Sequence, residues 1–573
     1  MVVAFAACVC FATLTTSAGA ARLPPVTAAG AMQCTMTGKV RFSPTLTTIP
    51  QPTTMHIRAK LNCPQDGAGI PNVTLTSAKL LAVDSLTGAS CKDSDLGAGQ
   101  AQIPWRATPV PVVPSVVSWT SATLTDGSSI GFDLDGAGLT GSYAGATMKI
   151  HIASDPIVGG RCGRSAARGF VFSGAAGPST LTFSVPNPNG LPINHIVVLM
   201  QENHSADDYF SQLSAEGQPD YEAEPNTGNP NPLDPTGPPI LPFHKTTYCE
   251  VADLDHSWNG THAEIDGGKM DGFTKANAIP QDPTGSRTMG YYDQADLPYY
   301  YGLYNTFATA DRYFDSVPSQ TYPNRLYLFA GTSFGHIRND AGNLPGRSIF
   351  NLLDAKSISW RIYASQAAYA ALFFSYVQAE SRSHIFPISQ YYTDLADGEL
   401  PDVAFVDPLL TAPNQLANDE HPPEDVQVGQ KFVADIINGL MNSPEWSSSA
   451  FFLTYDEHGG YYDHVAPPAA PVPDDIPPML QPGDAPGAFD TYGPRVPAVV
   501  VSPYAKPHFV SHAVYDHTSI LRFIEYRYGL PALTNRDANA DPMLEMFDFN
   551  SPQFANPPSL PAATIDQAQL ALC

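Results

Sequence analysis

The sequence predicts an α/β fold with a mostly parallel sheet and helices on both faces, preceded by a smaller all-β, sandwich-like domain. From residue 191 onward, apolar runs rich in β-branched residues alternate with helical patterns, as they do in α/β folds. Between residues 31 and 185, short alternating runs are instead separated by Gly, Asp and Pro turns. A Pro/Asn/Gly-rich linker at residues 184–191 separates the two regions.

Residues 1–21 are predicted to form a signal peptide. They contain an apolar core and end in the small-residue pattern Ala18-Gly19-Ala20. The protein is therefore expected to be secreted, periplasmic or attached to the cell surface. Because the segment lacks a basic start, a weak membrane anchor or a lipid attached at Cys8 stay open as alternatives. No later apolar run approaches transmembrane length, so the mature chain is expected to lack a transmembrane span.

The length of the chain indicates how many domains it forms, and its net charge excludes some kinds of partner. With 573 residues the chain is long enough for at least two domains. Its formal charge of −26 argues against nucleic acid or an anionic membrane as an electrostatic partner. An anionic substrate would therefore need a locally positive site, made by a metal ion or by helix N-termini.

The cysteines that follow the predicted signal peptide indicate disulfides. An even number without CxxC pairs favours disulfides in an oxidising compartment over a zinc site. Four of the six precede residue 170, so two bridges are expected there. The last two would then pair with each other, although free thiols remain the alternative. The six are Cys34, Cys63, Cys91, Cys162, Cys249 and Cys573.

The region 31–185 is predicted to be a β-rich accessory domain, either a sandwich or a barrel. It contains two of the fifteen histidines, His56 and His151, and no cluster with metal-ligand spacing. We therefore expect it to be non-catalytic, with surface or carbohydrate binding as an open role. Its predicted strands are residues 36–42, 55–61, 73–83, 119–124, 147–152 and 170–172.

The region 191–560 is predicted to be the catalytic domain. Its clearest helix spans residues 426–441, where apolar side chains recur at intervals of three and four. Two Pro-rich segments, 221–242 and 467–486, are expected to lie on the surface. The predicted strands are 196–200, 358–363, 403–406, 451–455 and 497–501, and the other predicted helices are 297–307, 349–353 and 519–528.

Polar residues follow two of these strands directly. Glu202 and Asn203 come after the first strand, and Asp456 and Glu457 come after the strand at 451–455. Ligands of open α/β sheets bind at the carboxyl ends of strands, and oxygen-rich sets of side chains hold divalent cations. The alternative for each pair is an ordinary polar loop or an acidic turn.

A hydroxyl group and several histidines add to this pattern. Thr321 precedes Pro323 by two residues, which suits the first turn of a helix, where phosphate binds and a hydroxyl pKa is lowered. A simple helix cap is the alternative. His421 precedes two prolines and is expected in a rigid loop, with a solvated histidine as the alternative. His256 and His262 lie near acidic residues but match no standard zinc spacing.

Six motifs in this region resemble a known family. The chain is similar to the bacterial phosphoesterase family of phosphatidylcholine-type phospholipases C and acid phosphatases, in the alkaline-phosphatase-like superfamily. The resemblance spans residues 193–549 and does not cover the β-rich region. The motifs, in the order of the family, are IVVLMQENHSADDYF, HSWNGTHAEIDGGKMDGF, TYPNRLYLFAGT, DEHPPEDVQVGQKFV, YDEHGGYYDHVAPP and YDHTSILRFIEYRYGL.

The resemblance implies a role for each matching residue. It implies Thr321 as the nucleophile, and His262 and His421 as groups that hold the phosphoryl group or serve the leaving group. His464 and His517 lie in the motifs without an assigned role. The implied cofactor is a divalent cation, calcium, magnesium, manganese or zinc. Its implied ligands are Glu202, Asn203, Asp456 and Glu457.

The implied function is that of a secreted, metal-dependent phosphoesterase, most specifically phospholipase C-type cleavage of phospholipid head groups. An acid phosphatase acting on phosphomonoesters would use the same residues, and an inactive secreted binding protein is the remaining alternative. The chain departs from the family at Ser205-Ala206-Asp207 and at Tyr322, which indicates an altered substrate preference. The expected partner is a phospholipid or a small phosphate ester, and no nucleic acid.

Overall fold

The computed structural model describes residues 30–46, 51–62, 74–89, 99–103, 105–108, 115–125, 131–140, 147–153, 167–172, 179–185, 191–366, 368–410, 412 and 416–573. They belong to two compact units, Ala31–Ser184 and Val185–Cys573. The predicted signal peptide, residues 186–190 of the linker, and Cys63, Cys91 and Cys162 lie outside the described residues. The side chain of Cys34 lies outside them as well, so the two N-terminal disulfides stay predictions.

The first unit is built from strands, which confirms the predicted all-β fold of this region. Every strand pair with a described register is antiparallel. The strand order is β10-β8-β7-β6-β4-β3-β2-β1-β9, β5 pairs with β3, and β10 also pairs with β1. The strands are β1 Gly30–Leu46, β2 Gln51–Asn62, β3 Thr74–Ala89, β4 Gly99–Ile103, β5 Trp105–Thr108, β6 Ser115–Thr125, β7 Gly131–Thr140, β8 Thr147–Ala153, β9 Ala167–Phe172 and β10 Ser179–Val185.

Strand β2 shows why these residues form a half-buried sheet. Ile57, Ala59 and Leu61 are buried, whereas Arg58 and Lys60 between them are exposed. Successive side chains of a strand point to opposite faces, so this alternation places one face against a core and the other toward solvent.

The second unit contains the predicted α/β sheet. Eight strands lie in the order β16-β15-β17-β11-β18-β19-β14-β20, and only β19 runs antiparallel to its neighbours among these described strands. A mostly parallel sheet is thereby confirmed, while β12 and β13 form a separate pair. The strands are β11 His195–Gln201, β12 Phe243–His244, β13 Gly290–Tyr291, β14 Ala308–Ala310, β15 Trp360–Ala364, β16 Ile385–Pro387, β17 Val403–Asp407, β18 Ser449–Tyr455, β19 Ala498–Val501 and β20 Val510–Ser511.

Helices connect these strands, and α11 has the bounds predicted from its apolar spacing. The helices are α1 Ala206–Phe210, α2 Trp258–Ile265, α3 Phe273–Ala276, α4 Pro298–Thr306, α5 Thr321–Ala330, α6 Ile349–Ala355, α7 Tyr369–Phe373, α8 Ser375–Ala379, α9 Ser381–His384, α10 Ile388–Asp397, α11 Val426–Met441, α12 His517–Tyr528, α13 Asn535–Ala538 and α14 Gln567–Leu570. Short 3-10 turns are Asp266–Gly268, Ser286–Met289, Pro444–Ser448 and Leu544–Met546. Among the described residues, no helix has the length and apolar character that crossing a bilayer requires.

The centre of the sheet explains where a site can form. Every residue of β17 and β18 is buried, so both faces of these strands are covered. Because β17 and β18 both run parallel to β11, the three strands end at the same edge of the sheet. The predicted disulfide between Cys249 and Cys573 is confirmed, and it joins the C-terminal residue to the segment before α2.

Candidate functional site

Four of the predicted site residues lie together at the carboxyl ends of β11 and β18. Glu202 and Asn203 follow β11, while Asp456 and Glu457 follow β18. Asn203 adopts a left-handed backbone conformation with φ of 63°, and its N–H donates to Asp456 Oδ1 at 3.3 Å. Glycine is required at Gly459, because a Cβ there would come within 2.1 Å of Asn203 O. We call Glu202, Asn203, Asp456 and Glu457 the strand-end cluster.

Three oxygen atoms of the strand-end cluster are buried without a hydrogen bond. They are Asn203 Oδ1, Asp456 Oδ2 and Glu457 Oε1, and no group in the described part of the chain donates to them. Burial of unpaired carboxylate and amide oxygens is costly unless another partner compensates it. Because such oxygens are the preferred ligands of hard divalent cations, these residues fit the cation that the family resemblance implies.

Arg325 supplies a positive charge inside the cluster. Its Nη2 donates to Glu202 Oε1 at 3.1 Å, and its Nε lies 3.4 Å from Asp456 Oδ2. The hydroxyl of Tyr369 also donates to Glu202 Oε1. Arg325 is not among the site residues predicted from the sequence. Its position four residues after Thr321 in one helix is the signal that could have found it, since residues at this spacing share a face.

Burial and neighbouring charge favour protonated carboxyl groups in this cluster. Burial, followed by the charge of Glu202, raises the pKa of Asp456 to about 7, although Arg325 and His421 act in the opposite direction. Burial and the Asp456 carboxylate raise the pKa of Glu457 well above its ordinary value. A cation would displace these protons when it binds, so we expect its affinity to rise with pH.

Thr321 is the first residue of α5, as Pro323 two residues later predicts. Its side chain is buried. Asn324 fixes the chain before the helix, because its Oδ1 accepts from Val317 N at 3.0 Å and its Nδ2 donates to Val317 O and Ser319 O at 3.0 and 2.9 Å. The Thr321 hydroxyl therefore belongs to the positive end of a fixed helix, where developing negative charge is favoured.

Two histidines of the segment 253–273 have different surroundings. His256 Nδ1 accepts from Asn203 Nδ2 at 3.0 Å and lies 3.3 Å from Glu457 Oε1. His262 lies inside α2, where its Nδ1 donates to Trp258 O at 2.6 Å, and burial lowers its pKa. Within the described residues, no hydrogen bond or ion pair joins His262 to the strand-end cluster. The fold thus brings His256 to the cluster, a residue to which the sequence analysis gave no role.

His256, His421 and Asp253 form a second group of potential metal ligands beside the strand-end cluster. One ligand atom of each lies within 4.8 Å of the other two. Burial lowers the pKa of His256 to about 4, so this ring is neutral at pH 7. For His421, burial acts in the same direction, but the carboxylates of Glu202 and Asp253 outweigh it and the pKa is raised. A neutral and a readily protonated imidazole therefore lie side by side, which suits proton transfer.

The loop that carries His421 is held by the buried carboxylate of Glu420. The hydroxyls of Tyr209 and Tyr455 donate to Glu420 Oε2 at 2.6 and 2.7 Å, and the hydroxyl of Tyr300 donates to Oε1. Hydrogen bonds to a buried charged group are among the stronger ones in proteins. His421 therefore occupies a fixed position next to the strand-end cluster.

His458 and Asp315 extend the buried polar set. His458 Nε2 donates to Glu264 Oε2 at 2.8 Å, while its Nδ1 lies 3.6 Å from Glu457 Oε2 and 3.8 Å from Asp315 Oδ2. Neither carboxylate oxygen of Asp315 accepts a hydrogen bond from the described residues. Burial lowers the pKa of His458 to about 3 and raises that of Asp315 well above its ordinary value. Neither residue has a role predicted from the sequence.

His464 and His517, which lie in the family motifs without a predicted role, contact different buried groups. His517 Nε2 donates to Asp456 O at 2.7 Å and so holds the end of β18, and burial lowers its pKa to about 3. His464 Nδ1 instead pairs with Asp207 Oδ2 at 2.7 Å, next to Arg495. His517 thus positions Asp456, and His464 belongs to a different buried group.

Comparisons with known proteins agree on one family. Residues 193–531 match the model of the Phosphoesterase family. The chain is 33% identical over 406 residues to Non-specific phospholipase C3 of Arabidopsis thaliana, covering 65% of this chain and 76% of that protein. It is 34% identical over 427 residues to Phospholipase C B of Mycobacterium tuberculosis, covering 64% of this chain and 80% of that protein.

Similarity to solved structures is much weaker. One is described as a protein in the alkaline phosphatase superfamily from Vibrio parahaemolyticus, and the alignment covers 62% of this chain and 71% of that chain. The identity is 9% and the TM-score is 0.31, a similarity too low to support a conclusion.

Proposed function

Because this chain is a phosphoric ester hydrolase that belongs to the Phosphoesterase family, we propose that it cleaves phospholipids in the manner of a phospholipase C. The strand-end cluster carries the proposal, since its buried, unpaired oxygens adjoin the helix that begins with Thr321. The relatives named as phospholipases C support the substrate class. Export through residues 1–21 is part of the proposal and has the sequence pattern as its support.

The strand-end cluster is proposed to hold a divalent cation, calcium, magnesium, manganese or zinc. A cation bound there would lower the pKa of a nearby hydroxyl and offset charge on the phosphoryl oxygens. Arg325 orients the carboxylates of Glu202 and Asp456 through its guanidinium. His517 fixes the backbone of Asp456 from the other side.

Thr321 is the proposed nucleophile. Its hydroxyl releases its proton to solvent, and Oγ1 forms a bond to phosphorus while the ester bond to the diacylglycerol oxygen breaks, which leaves a phosphothreonine. The diacylglycerol oxygen takes a proton from His421, whose raised pKa favours the charged ring. Because His421 Nδ1 donates to Pro422 O at 2.6 Å, Nε2 is the nitrogen left for this transfer.

Water then attacks phosphorus, breaks the bond to Thr321 Oγ1 and releases the phosphorylated head group. The proton of this water passes to His421, which the first step has left neutral, and the Thr321 oxygen regains a proton from solvent. The family resemblance implies His262 as a histidine of the site, but we propose that His256 takes this place and positions Asn203, because its Nδ1 accepts from Asn203 Nδ2 at 3.0 Å and lies 3.3 Å from Glu457 Oε1.

The nucleophile is tested with Thr321→Ala and Thr321→Ser, assayed on p-nitrophenyl phosphorylcholine and on p-nitrophenyl phosphate. We expect the alanine variant to lose activity by about 10⁴-fold or more, with an unchanged melting temperature, because it lacks the attacking atom. The serine variant keeps a hydroxyl and should retain measurable turnover.

Near-normal turnover by Thr321→Ala would exclude this residue as the nucleophile. The two substrates separate the proposed activity from its alternative. A phospholipase C should prefer the phosphorylcholine diester, whereas a preference for the monoester would indicate an acid phosphatase acting through the same residues.

A further inference from the structure

The Pro-rich segment 467–486, which we call the outer loop, exposes an unusual number of large apolar side chains. Val472, Ile476, Met479 and Leu480 are between 41% and 47% exposed, all within nine residues. Single exposed apolar residues are normal on a protein surface, but a concentrated group marks a site of interaction with a protein or a membrane.

The outer loop is fixed to the rest of the unit. Met479 N donates to Gly335 O at 2.8 Å, and Trp258 Nε1 donates to Ala485 O at 2.8 Å. Asp484 accepts from Asn259 Nδ2 at 3.2 Å and also pairs with Arg338. The apolar side chains are therefore presented by a defined backbone.

The anchors of the outer loop are themselves tied to both sides of the proposed site. On one side, Ser319 Oγ donates to Ile337 O at 2.7 Å and Tyr322 N donates to Asn339 Oδ1 at 2.8 Å, which joins the segment after Gly335 to the start of α5. On the other side, Trp258 opens α2 two residues after His256. The outer loop thus borders the residues that lead to the Thr321 and His256 side chains.

The charge of the outer loop selects among possible partners. It contains Asp474, Asp475 and Asp484 and no lysine or arginine, within a chain of net charge −26. An anionic lipid surface would be repelled, whereas a surface without net charge would not be. Apolar side chains flanked by polar residues can enter the boundary between head groups and acyl chains of such a surface.

We propose that the outer loop seats the protein on a zwitterionic phospholipid surface, with Ile476, Met479 and Leu480 entering its apolar boundary. This inference rests on the proposed function, because the scissile bond of a phospholipid lies at that boundary. Seating by this loop would bring head groups toward the side of the molecule where α5 begins.

The test combines a double variant, Met479→Asp with Leu480→Asp, and a matched control, Tyr392→Asp. Tyr392 is a suitable control because it is also an exposed apolar residue, at 39% exposure, and it lies far from the proposed site. It packs near Gly439 of α11, the helix that precedes the start of β18, whereas Asp456 follows the end of β18. Co-sedimentation with phosphatidylcholine vesicles measures binding. Hydrolysis is measured on the same vesicles and on soluble p-nitrophenyl phosphorylcholine.

We expect the double variant to lose vesicle binding and vesicle hydrolysis by about 10- to 100-fold, because charged side chains replace apolar ones that would enter the lipid. Its turnover of the soluble ester should stay within about twofold of the wild-type value, since neither residue belongs to the proposed site. The control should match the wild type in all three assays. Adding anionic lipid should weaken the binding of the wild-type protein.

Wild-type vesicle binding by the double variant would overturn the inference, as would an equal loss on both substrates. An oligomer that dissociates in the variant while vesicle binding persists would identify a protein contact instead. The single variant Leu480→Ser repeats the test if the double variant does not fold. Failure of the proposed function is a separate result, since the wild-type protein would then bind vesicles without cleaving either phosphorylcholine ester.

Discussion

Two buried acidic groups arise from the same two chain segments, yet they are balanced in opposite ways. The strand-end cluster follows β11 and β18 directly. Asp207 and Asp463 lie a few residues farther along the same segments, and with His464 and Arg495 they form what we call the arginine cluster. A histidine ring lies beside the carboxylates of both groups, and both groups are inside the fold.

The arginine cluster contains its own countercharge. Arg495 is fully buried, and it donates through Nε to Asp463 Oδ1 and through Nη2 to Asp207 Oδ1, both at 2.9 Å. Burial would raise the pKa of Asp207, but Arg495 and His464 outweigh it and the pKa is lowered. Asp207 is therefore matched by the chain itself, whereas burial still raises the pKa of Asp463 to about 6 against the opposing charge of Arg495.

The strand-end cluster lacks such a match. Arg325 contacts Glu202 and Asp456, but Glu457 forms no ion pair with an arginine or lysine of the described residues. Its neighbours are the N–H of Gly459 and the neutral rings of His256 and His458. The pKa values of Asp456 and Glu457 are raised, mainly by burial. Buried carboxylates thus share a fully buried guanidinium in one place and form an electrostatically incomplete site in the other. The two groups differ in the source of the positive charge, which is a side chain in the arginine cluster and a proposed metal ion in the strand-end cluster.

The largest effect is expected when the countercharge of the arginine cluster is removed. Arg495→Met removes the guanidinium that the buried carboxylates of Asp207 and Asp463 share, which should lower the free energy of unfolding by about 3–5 kcal/mol. Arg312→Met is the control, since Arg312 also pairs with Glu222 but is partly exposed, and it should cost less than about 1 kcal/mol. Urea denaturation measures both values, and equal losses would contradict the comparison.

A smaller effect is expected from pH, and it should have opposite sign for Asp456 and for Asp207, whereas Asp463, whose pKa burial raises to about 6, should act like Asp456. The raised pKa of Asp456, about 7, means that the folded protein holds a proton that the unfolded chain releases near 3.8. Its contribution to stability is therefore complete below 3.8 and is lost as pH rises to about 7. Asp207, with its lowered pKa, contributes above 3.8 and loses that contribution as pH falls through its folded value.

Urea denaturation of chelator-treated protein between pH 5 and 7 checks this prediction. The free energy of unfolding should fall with a slope of up to about 1.4 kcal/mol per pH unit for each proton. Asp456→Asn removes the titrating group and should flatten the slope. A slope that is unchanged in this variant would show that Asp456 does not hold the proton.

The sequence was sufficient for the parts of the molecule that depend on local periodicity. The apolar spacing of 426–441 identified α11, and the polar residues after two apolar runs identified Glu202, Asn203, Asp456 and Glu457. Their convergence followed from parallel strands, whose carboxyl ends share one edge. These inferences needed no knowledge of how side chains pack.

The remaining site residues depend on where chain segments turn. Ser257 caps α2, so His256 remains in extended chain that reaches Asn203, whereas His262 turns into the helix and bonds to Trp258. A serine before a helical run was a usable signal for this boundary. Asp315 has no local signal of this kind, because its position next to His458 results from tertiary packing alone.

The most direct test of the account is thermal unfolding of chelator-treated protein before and after a divalent cation is returned. Calcium, magnesium, manganese and zinc are each added to the wild type and to the double variant Asp456→Asn with Glu457→Gln. At about 100 times the dissociation constant, the matching cation should stabilise the wild type by about 2.7 kcal/mol. The double variant should still fold, because Arg325 keeps Glu202 as its partner, and it should not respond to the cation. A wild-type protein indifferent to all four cations, or a variant that responds equally, would contradict the claim that the strand-end cluster is completed by a metal ion.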